Sequence, residues 1–435
     1  MTPIQAQGLP VVLDGRDLLA QAKTGSGKTA AFAIGILHNL APLQYETQAL
    51  ILCPTRELAD QVSKEIRRLA RPIANINVLT LCGGKPIGPQ LASLERNPHI
   101  VVGTPGRILK HLDKGTLDLA SLKTLVLDEA DRMLDMGFHD DILRVISFTP
   151  DKKQTLLFSA TYPQAIKQIS DSLQHDPVDI RVESLHEENR IKQVFYEVAK
   201  NQRTEALVTL LQHYLPASCV IFCNRKQQCK DLAEDLWQHG FHALALHGDL
   251  EQKERDQVLV QFANNSSNIL IATDVAARGL DIKDLQAVIN YELPQDPEIH
   301  IHRIGRTGRA GNEGLALSLF MPSEAPKVIA IEKYQKSAAR MEDISALTVA
   351  PQQDKLMPNM VTLCINGGRK NKVRAGDILG ALTANSKLNG KQIGKIDIFD
   401  IVSYVAVEEP IARQALNILS EGKIKGRKFR VRKLN

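Results

Sequence analysis

Long hydrophobic runs, paired cysteines and aromatic residues are all scarce in this sequence, and each shortage closes off a class of protein. The longest apolar run, Ala30 to Leu37, has eight residues and includes a glycine, well short of the roughly 20 that a membrane-spanning helix needs. Met1-Thr2-Pro3-Ile4-Gln5 carries neither the basic stretch nor the apolar core of a secretory signal. Together these point to a cytoplasmic protein with no membrane partner. The six cysteines (Cys53, Cys82, Cys219, Cys223, Cys229 and Cys364) never form a Cys-x-x-Cys pair, the spacing that zinc or redox chemistry favours. Reduced, structural thiols are expected, with Cys219 and Cys223 flanking a strand. Aromatics make up 4% of residues, too few for nucleic-acid binding built mainly on base stacking.

What is present is an ordinary globular composition, 43% hydrophobic and 24% charged, over 435 residues. That length fits two domains of common size and a smaller third. The net charge of +5 hides an asymmetry. From Asn359 onward there are fifteen Lys and Arg against six Asp and Glu, while the remainder has 39 against 43. The C-terminal segment is therefore the basic part, suited equally to a solvated surface or to nucleic acid.

Short β-branched and Leu-rich runs alternate with helical patterns, the signature of βαβ units around parallel sheets. Ala49–Cys53, Ile100–Val102, Thr124–Leu127 and Thr155–Phe158 are expected as central strands of one sheet. Cys219–Phe222, Ala243–Leu246, Asn268–Ala272 and Ala287–Asn290 are expected in a second, after a charged linker at His186–Arg190. A Gln- and Pro-rich break from Thr348 to Pro358 precedes a compact α+β pattern.

Ala22-Lys23-Thr24-Gly25-Ser26-Gly27-Lys28-Thr29 stands between the run Asp17-Leu18-Leu19-Ala20 and a helical stretch beginning at Thr29. Glycines there let backbone N–H groups converge on phosphate oxygens at a helix N-terminus. Lys28 is then expected at the β- and γ-phosphates of a nucleotide and Thr29 on Mg²⁺. Ala22 takes the place of the usual first glycine. Asp128-Glu129-Ala130-Asp131 follows Leu125-Val126-Leu127, which sets two carboxylates at the end of a buried strand. Asp128 suits Mg²⁺, and Glu129 suits the orientation and deprotonation of an attacking water.

These motifs resemble those of the DEAD-box RNA helicases, and the resemblance runs in order across both α/β regions. It implies two tandem RecA-like domains, residues 1–185 and 191–347, with ATP and Mg²⁺ as cofactors. By that resemblance Gln5 in Thr2-Pro3-Ile4-Gln5 reads adenine. Pro54-Thr55-Arg56-Glu57-Leu58, Gly83-Gly84 and Thr104-Pro105-Gly106-Arg107 would contact the RNA backbone. Asp131, Ser159-Ala160-Thr161, Arg278 and His302 would couple the domains. Within Ala272-Thr273-Asp274-Val275-Ala276-Ala277-Arg278-Gly279-Leu280-Asp281, Thr273 would touch RNA phosphate and Asp281 the ribose; Val220-Ile221-Phe222 and Gln252-Lys253-Glu254-Arg255 resemble further motifs. In His302-Arg303-Ile304-Gly305-Arg306-Thr307-Gly308-Arg309, the pair Arg306 and Arg309 is expected on one helical turn. Arriving from the second domain, they would stabilise charge on the transferring phosphoryl, an effect of about a thousandfold or more in rate. Backbone and 2′-hydroxyl contacts would make binding sequence-tolerant.

The segment 359–435 resembles the RNA-binding domain of the DbpA subgroup, a small α+β RNA-recognition-like fold, through Thr362–Leu382, Ile393–Ile396, Ser403–Val407 and Gly422–Gly426. RNA contact is assigned to Arg369, Lys370, Lys372, Arg374, Lys423 and Lys425, because Tyr404 is the one obvious aromatic for the central strands. The subgroup implies 23S ribosomal RNA and pre-50S particles as partners, and a role in large-subunit assembly. Nothing demands more than a monomer. Family members normally carry a further segment before the adenine-reading motif, so a shortened N-terminus and weakened nucleotide binding are expected here. Two other readings remain open at this point: a catalytically weak RNA clamp, and a DNA helicase.

Overall fold

The computed structural model describes every residue except 23–25, 85, 162–163, 183–190, 278–284, 309–312, 349–356, 385–387 and 435. The expected linker at 186–190 and most of the break at 348–358 therefore lie outside the described residues. The chain divides into two compact units, one ending near residue 185 and the other running on to the C-terminus.

In the first unit seven parallel strands form one sheet: β1 (Leu18–Gln21), β2 (Ala49–Leu52), β3 (Val78–Leu81), β4 (Ile100–Gly103), β5 (Thr124–Asp128), β6 (Gln154–Ser159) and β7 (Val178–Arg181). Their order is β3-β4-β2-β5-β6-β1-β7. The inner strands β2, β4, β5 and β6 are buried throughout, as strands covered by helices on both faces must be. The outermost, β3 and β7, are only partly buried, β3 with half-buried positions and β7 with exposed ones; neither was expected. Two helices from the N-terminal region, Pro3–Leu13 and Lys28–Asn39, pack closely. Gly35 permits this, since a Cβ there would meet Val12 Cγ1 at 2.1 Å.

The second unit begins with six parallel strands, β8 (Ile191–Glu197), β9 (Cys219–Cys223), β10 (Ala243–Leu246), β11 (Ile269–Thr273), β12 (Ala287–Asn290) and β13 (Gly314–Phe320), in the order β10-β11-β9-β12-β13-β8. The four expected strands are all present; β8 and β13 are additions. Four antiparallel strands follow, β14 (Met360–Ile365), β15 (Ile393–Ile398), β16 (Ser403–Glu408) and β17 (Val431–Lys433), in the order β15-β16-β14-β17. The fold is thus two RecA-like parallel sheets and a small antiparallel one. No helix among the described residues is long and apolar enough to cross a membrane. All six cysteines are buried and none forms a disulfide, and burial pushes the Cys219 thiol up to about 12.

The small sheet is covered on both faces, and the alternation of side chains along each strand shows how. Val361, Leu363, Ile365, Val405 and Val407 point into a core with Ile378, Leu382, Ala415 and Leu419 of the helices Ala375–Thr383 and Ala412–Glu421. On the opposite face Cys364, Tyr404 and Leu434 cluster with Val260 of the helix Gln252–Ala263. Thr362 Oγ1 bonds to Asn264 Nδ2 at 3.2 Å and Ser266 Oγ at 2.7 Å. Tyr404, the aromatic that could have stacked on a base, is 1% exposed.

Val260→Asp should weaken this contact, because it buries a carboxylate among the apolar side chains of Tyr404 and Leu434. Hydrogen exchange should accelerate along Gln252–Ala263, while the amides of β14 and β16 stay protected by their own helix-facing core. Unchanged exchange in the helix would show that the contact adds nothing.

Candidate active site and nucleic-acid interface

Parallel α/β sheets bind ligands beyond the C-terminal ends of their strands, and apart from Gln5, on the helix Pro3–Leu13, the described residues expected in the first unit's sites follow those ends. The strand order sorts them. The ends of β3, β4 and β2 carry Gly84, then Thr104, Pro105, Gly106 and Arg107, then Pro54, Thr55 and Arg56. The ends of β5, β6 and β1 carry Asp128, Glu129 and Asp131, then Ser159 and Thr161, then Ala22 and the helix start at Gly27, Lys28 and Thr29. One half of the edge presents the expected RNA contacts and the other half the expected nucleotide contacts together with the expected coupling residues Asp131, Ser159 and Thr161.

On the nucleotide half, Gln5 accepts from the Thr2 backbone N–H at 3.0 Å and donates to the Gly27 carbonyl at 3.2 Å. Gly27 has φ 92° and starts the helix Lys28–Asn39; a Cβ there would lie 2.5 Å from Gln5 Nε2. Only glycine gives this turn without strain. Lys28 is buried and its Nζ donates to the Ala22 carbonyl at 2.9 Å. Thr29 sits in the first helical turn. The Ser26 hydroxyl is buried without a hydrogen-bond partner among the described residues. Lys23, Thr24 and Gly25 lie outside the described residues.

At the end of β5 the carboxylates lie 2–5% exposed. Glu129 adopts φ 55°, ψ 52°, a left-handed conformation costly for a residue with a side chain. Its Oε2 meets Arg132 Nη1 at 2.8 Å. Asp131 Oδ2 accepts from Ala160 N, Thr161 N and Thr161 Oγ1 at 3.1, 3.0 and 3.0 Å, and Ser159 Oγ donates to the Thr161 carbonyl at 2.6 Å. Burial pushes Asp128 from 3.8 up to about 6, partly opposed by nearby Lys28. Its Oδ1 is buried with no hydrogen-bond partner among the described residues. An orphaned carboxylate oxygen, with the Thr29 hydroxyl at the neighbouring helix start, is a donor set that fits a hard divalent cation such as Mg²⁺.

On the RNA half, Thr55 caps the helix Arg56–Leu69 by accepting from Leu58 N at 3.3 Å. Arg56 lies over Gly84, where φ is 71° and a Cβ would meet its Nη1 at 1.9 Å. Pro105 opens the helix Pro105–Asp113, and Arg107 Nη1 donates to Gln90 Oε1 at 2.9 Å.

In the second unit Thr273 ends β11, and His302 lies on the helix Pro297–Ile304. The helix stops at Gly305, so Arg306 sits in the turn beyond it, not on the helical turn expected for the pair. It is buried. Arg278, Asp281 and Arg309 lie outside the described residues. Sequence reasoning passed over Arg303, which is 2% exposed. Its guanidinium takes both oxygens of Asp274 at 2.7 Å, Asn290 Oδ1 at 3.0 Å, the Glu292 carbonyl at 2.7 Å and Asn224 Oδ1 at 2.9 Å. It also stands 5.0 Å over the Phe222 ring. One side chain thus joins the ends of β9, β11 and β12.

In the C-terminal sheet Arg369, Lys370, Lys372, Arg374, Lys423 and Lys425 are all exposed. Lys425 Nζ donates to the Lys372 carbonyl at 3.1 Å, which brings the two basic loops together. Lys372 and Lys425 have φ 60° and 51°. Exposed Arg427, Lys428 and Arg430 continue the second loop; the run of basic residues was the available signal for them.

A DEAD/DEAH box helicase model matches residues 2–169, a helicase conserved C-terminal domain model residues 202–311, and a DbpA RNA binding domain model residues 362–433. The ATP-dependent RNA helicase DbpA of Escherichia coli is 53% identical over 434 residues, 100% of this chain and 94% of that one. Its namesake in Bacillus subtilis is 37% identical, covering 100% of this chain and 95% of the other. The structure of S. cerevisiae Dbp5 bound to RNA and ADP BeF3 is similar with a TM-score of 0.72 at 32% identity, over 79% of this chain and 90% of that chain.

The raised Asp128 carboxyl makes a stability prediction. Above about pH 6 the folded, ligand-free protein bears an ionised buried carboxylate that the unfolded chain holds at no cost; below about pH 4 both states are protonated and the difference vanishes. Asp128→Asn should therefore stabilise the ligand-free protein by about 3 kcal/mol at pH 7.5, fading toward pH 4. Urea unfolding at the two pH values checks it; a stability gain of equal size at both would show that ionisation is not the cause.

Proposed function

The chain belongs to the DEAD-box ATP-dependent RNA helicases of the DbpA subgroup, and from that footing we propose that it opens short RNA duplexes on 23S ribosomal RNA during large-subunit assembly. It is an ATP-dependent RNA helicase with an RNA-binding C-terminal domain. In our reading Gln5 and the loop from Ala22 to Thr29 hold ATP. Thr29 and Asp128 would hold Mg²⁺, which when bound screens phosphate charge. Glu129 orients and deprotonates the attacking water, while Arg306 and Arg309 contribute from the second RecA-like domain. Pro54, Thr55, Arg56, Gly84, Thr104 to Arg107 and Thr273 track the RNA backbone. The domain limits 1–185, 191–347 and 359–435, and a cytoplasmic site alongside pre-50S particles, belong to the same proposal.

The observation that carries the tether is the pair of basic loops joined by Lys425 and Lys372, six exposed cations on a domain whose sheet is covered on both faces. RNA held there experiences a raised local concentration of the motor. The reading is tested by ATP turnover against 23S ribosomal RNA, an unrelated structured RNA, DNA of the same sequence, and no nucleic acid. Half-maximal stimulation should need roughly a hundredfold less 23S RNA than unrelated RNA, with DNA inactive. The double variant Lys372→Glu/Lys425→Glu should lose that preference and keep the response to high concentrations of any RNA. Equal stimulation of the parent protein by both RNAs would refute the ribosomal tether.

A further inference from the structure

Arg132 belongs to neither the nucleotide set nor the RNA set, yet its guanidinium is among the charges closest to the reacting centre. Its side chain is 6% exposed and that of Glu129 is 3% exposed, with Nη1 and Oε2 at 2.8 Å. Its own backbone N–H donates to Asp131 Oδ1 at 3.0 Å. The other oxygen of Asp131 takes three bonds from Ala160 and Thr161. The turn that carries Arg132 is thereby fastened to the end of β6, and Arg132 reaches back from it to the carboxylate of Glu129.

A buried ion pair is a weak stabiliser, because desolvating two ions offsets their attraction. Orientation is a stronger reason for this one. The last torsion of a glutamate side chain is broad and has no sharp rotamer, whereas a base that takes a proton from water must hold its lone pair at a fixed point. One guanidinium N–H on Oε2 removes that freedom and so sets the direction of the whole carboxylate. We infer that Arg132 is a positioning residue for ATP hydrolysis, aiming the Glu129 carboxylate at the attacking water. The inference rests on the reading of Glu129 as the base. Lysine cannot fully replace it, being a point charge on a flexible stem instead of a planar fork.

The test uses the full chain with Mg²⁺, ATP and saturating 23S ribosomal RNA, and compares Arg132→Gln, Arg132→Lys and Glu129→Gln. For Arg132→Gln, kcat should fall roughly ten- to a hundredfold, with KM for ATP and RNA affinity unchanged. Arg132→Lys should recover part of the lost kcat at the same KM. A normal kcat in Arg132→Gln, or a raised KM with kcat preserved, overturns the inference. If thermal melting shows that Arg132→Gln does not fold, Arg132→Lys decides: kcat equal to the parent overturns it, and a reduced kcat at constant KM supports it. Full turnover in Glu129→Gln would remove the base assignment itself and the inference with it. An inactive Glu129→Gln beside a fully active Arg132→Gln defeats the inference alone.

Discussion

The carboxylate of Asp131 is the fastening on which the catalytic edge of the first unit depends. It spans from the end of β5 to the end of β6, taking two backbone N–H groups and one hydroxyl from residues 29 and 30 positions further along the chain. Those donors would otherwise be lost to water or left unpaired at the rim of a buried sheet. With the fastening in place, Glu129 is held in a left-handed backbone that an isolated turn would not keep. The β6 loop is at the same time locked by Ser159 to the Thr161 carbonyl. Strain in one residue is thus maintained by hydrogen bonds on its neighbour, and the carboxylates stay where the strand ends deliver them.

The second unit applies the same device with the charge reversed. There a buried cation, Arg303, gathers the ends of three strands through Asp274, Asn290, Asn224 and the Glu292 carbonyl. Each of its donors is matched to an acceptor, the condition under which a buried charge is tolerable. Thr273 immediately precedes Asp274, and Arg306 follows Arg303 by three positions, so the expected RNA contact and the expected phosphate contact hang from one guanidinium. Further along the same unit the antiparallel sheet is committed on both faces, which leaves its basic loops as the surface open to a polyanion.

The chemistry was easier to read in the sequence than the packing. Gly27, Lys28, Asp128 and Glu129 announce themselves because phosphate and metal chemistry fix residue types at short spacings beside apolar runs. The fully buried strands β2, β4, β5, β6, β9 and β12 were legible for the same local reason. The edge strands β3, β7 and β8 were not, since their faces meet different surroundings and their patterns mix. Arg303 was hidden among similar arginines; what distinguishes it is a set of partners 11 to 79 positions away. The docking of β14 on the helix Gln252–Ala263 joins Thr362 to Asn264 and Ser266 across 96 to 98 positions, with small polar residues that leave no local signature.

Two features of the nucleotide half show why a ligand would change this unit's energetics as well as fill a space. Asp128 Oδ1 and the Ser26 hydroxyl are buried without hydrogen-bond partners among the described residues, and Lys28 spends its charge on a backbone carbonyl. Unsatisfied buried groups each cost on the order of 1–3 kcal/mol, so the ligand-free edge carries stored cost at the points where phosphate and a divalent cation would relieve it. A triphosphate that drew Lys28 away from the Ala22 carbonyl would exchange an ionised donor's bond to a neutral acceptor for one to an anion. A ligand that met these groups would gain affinity from satisfying them.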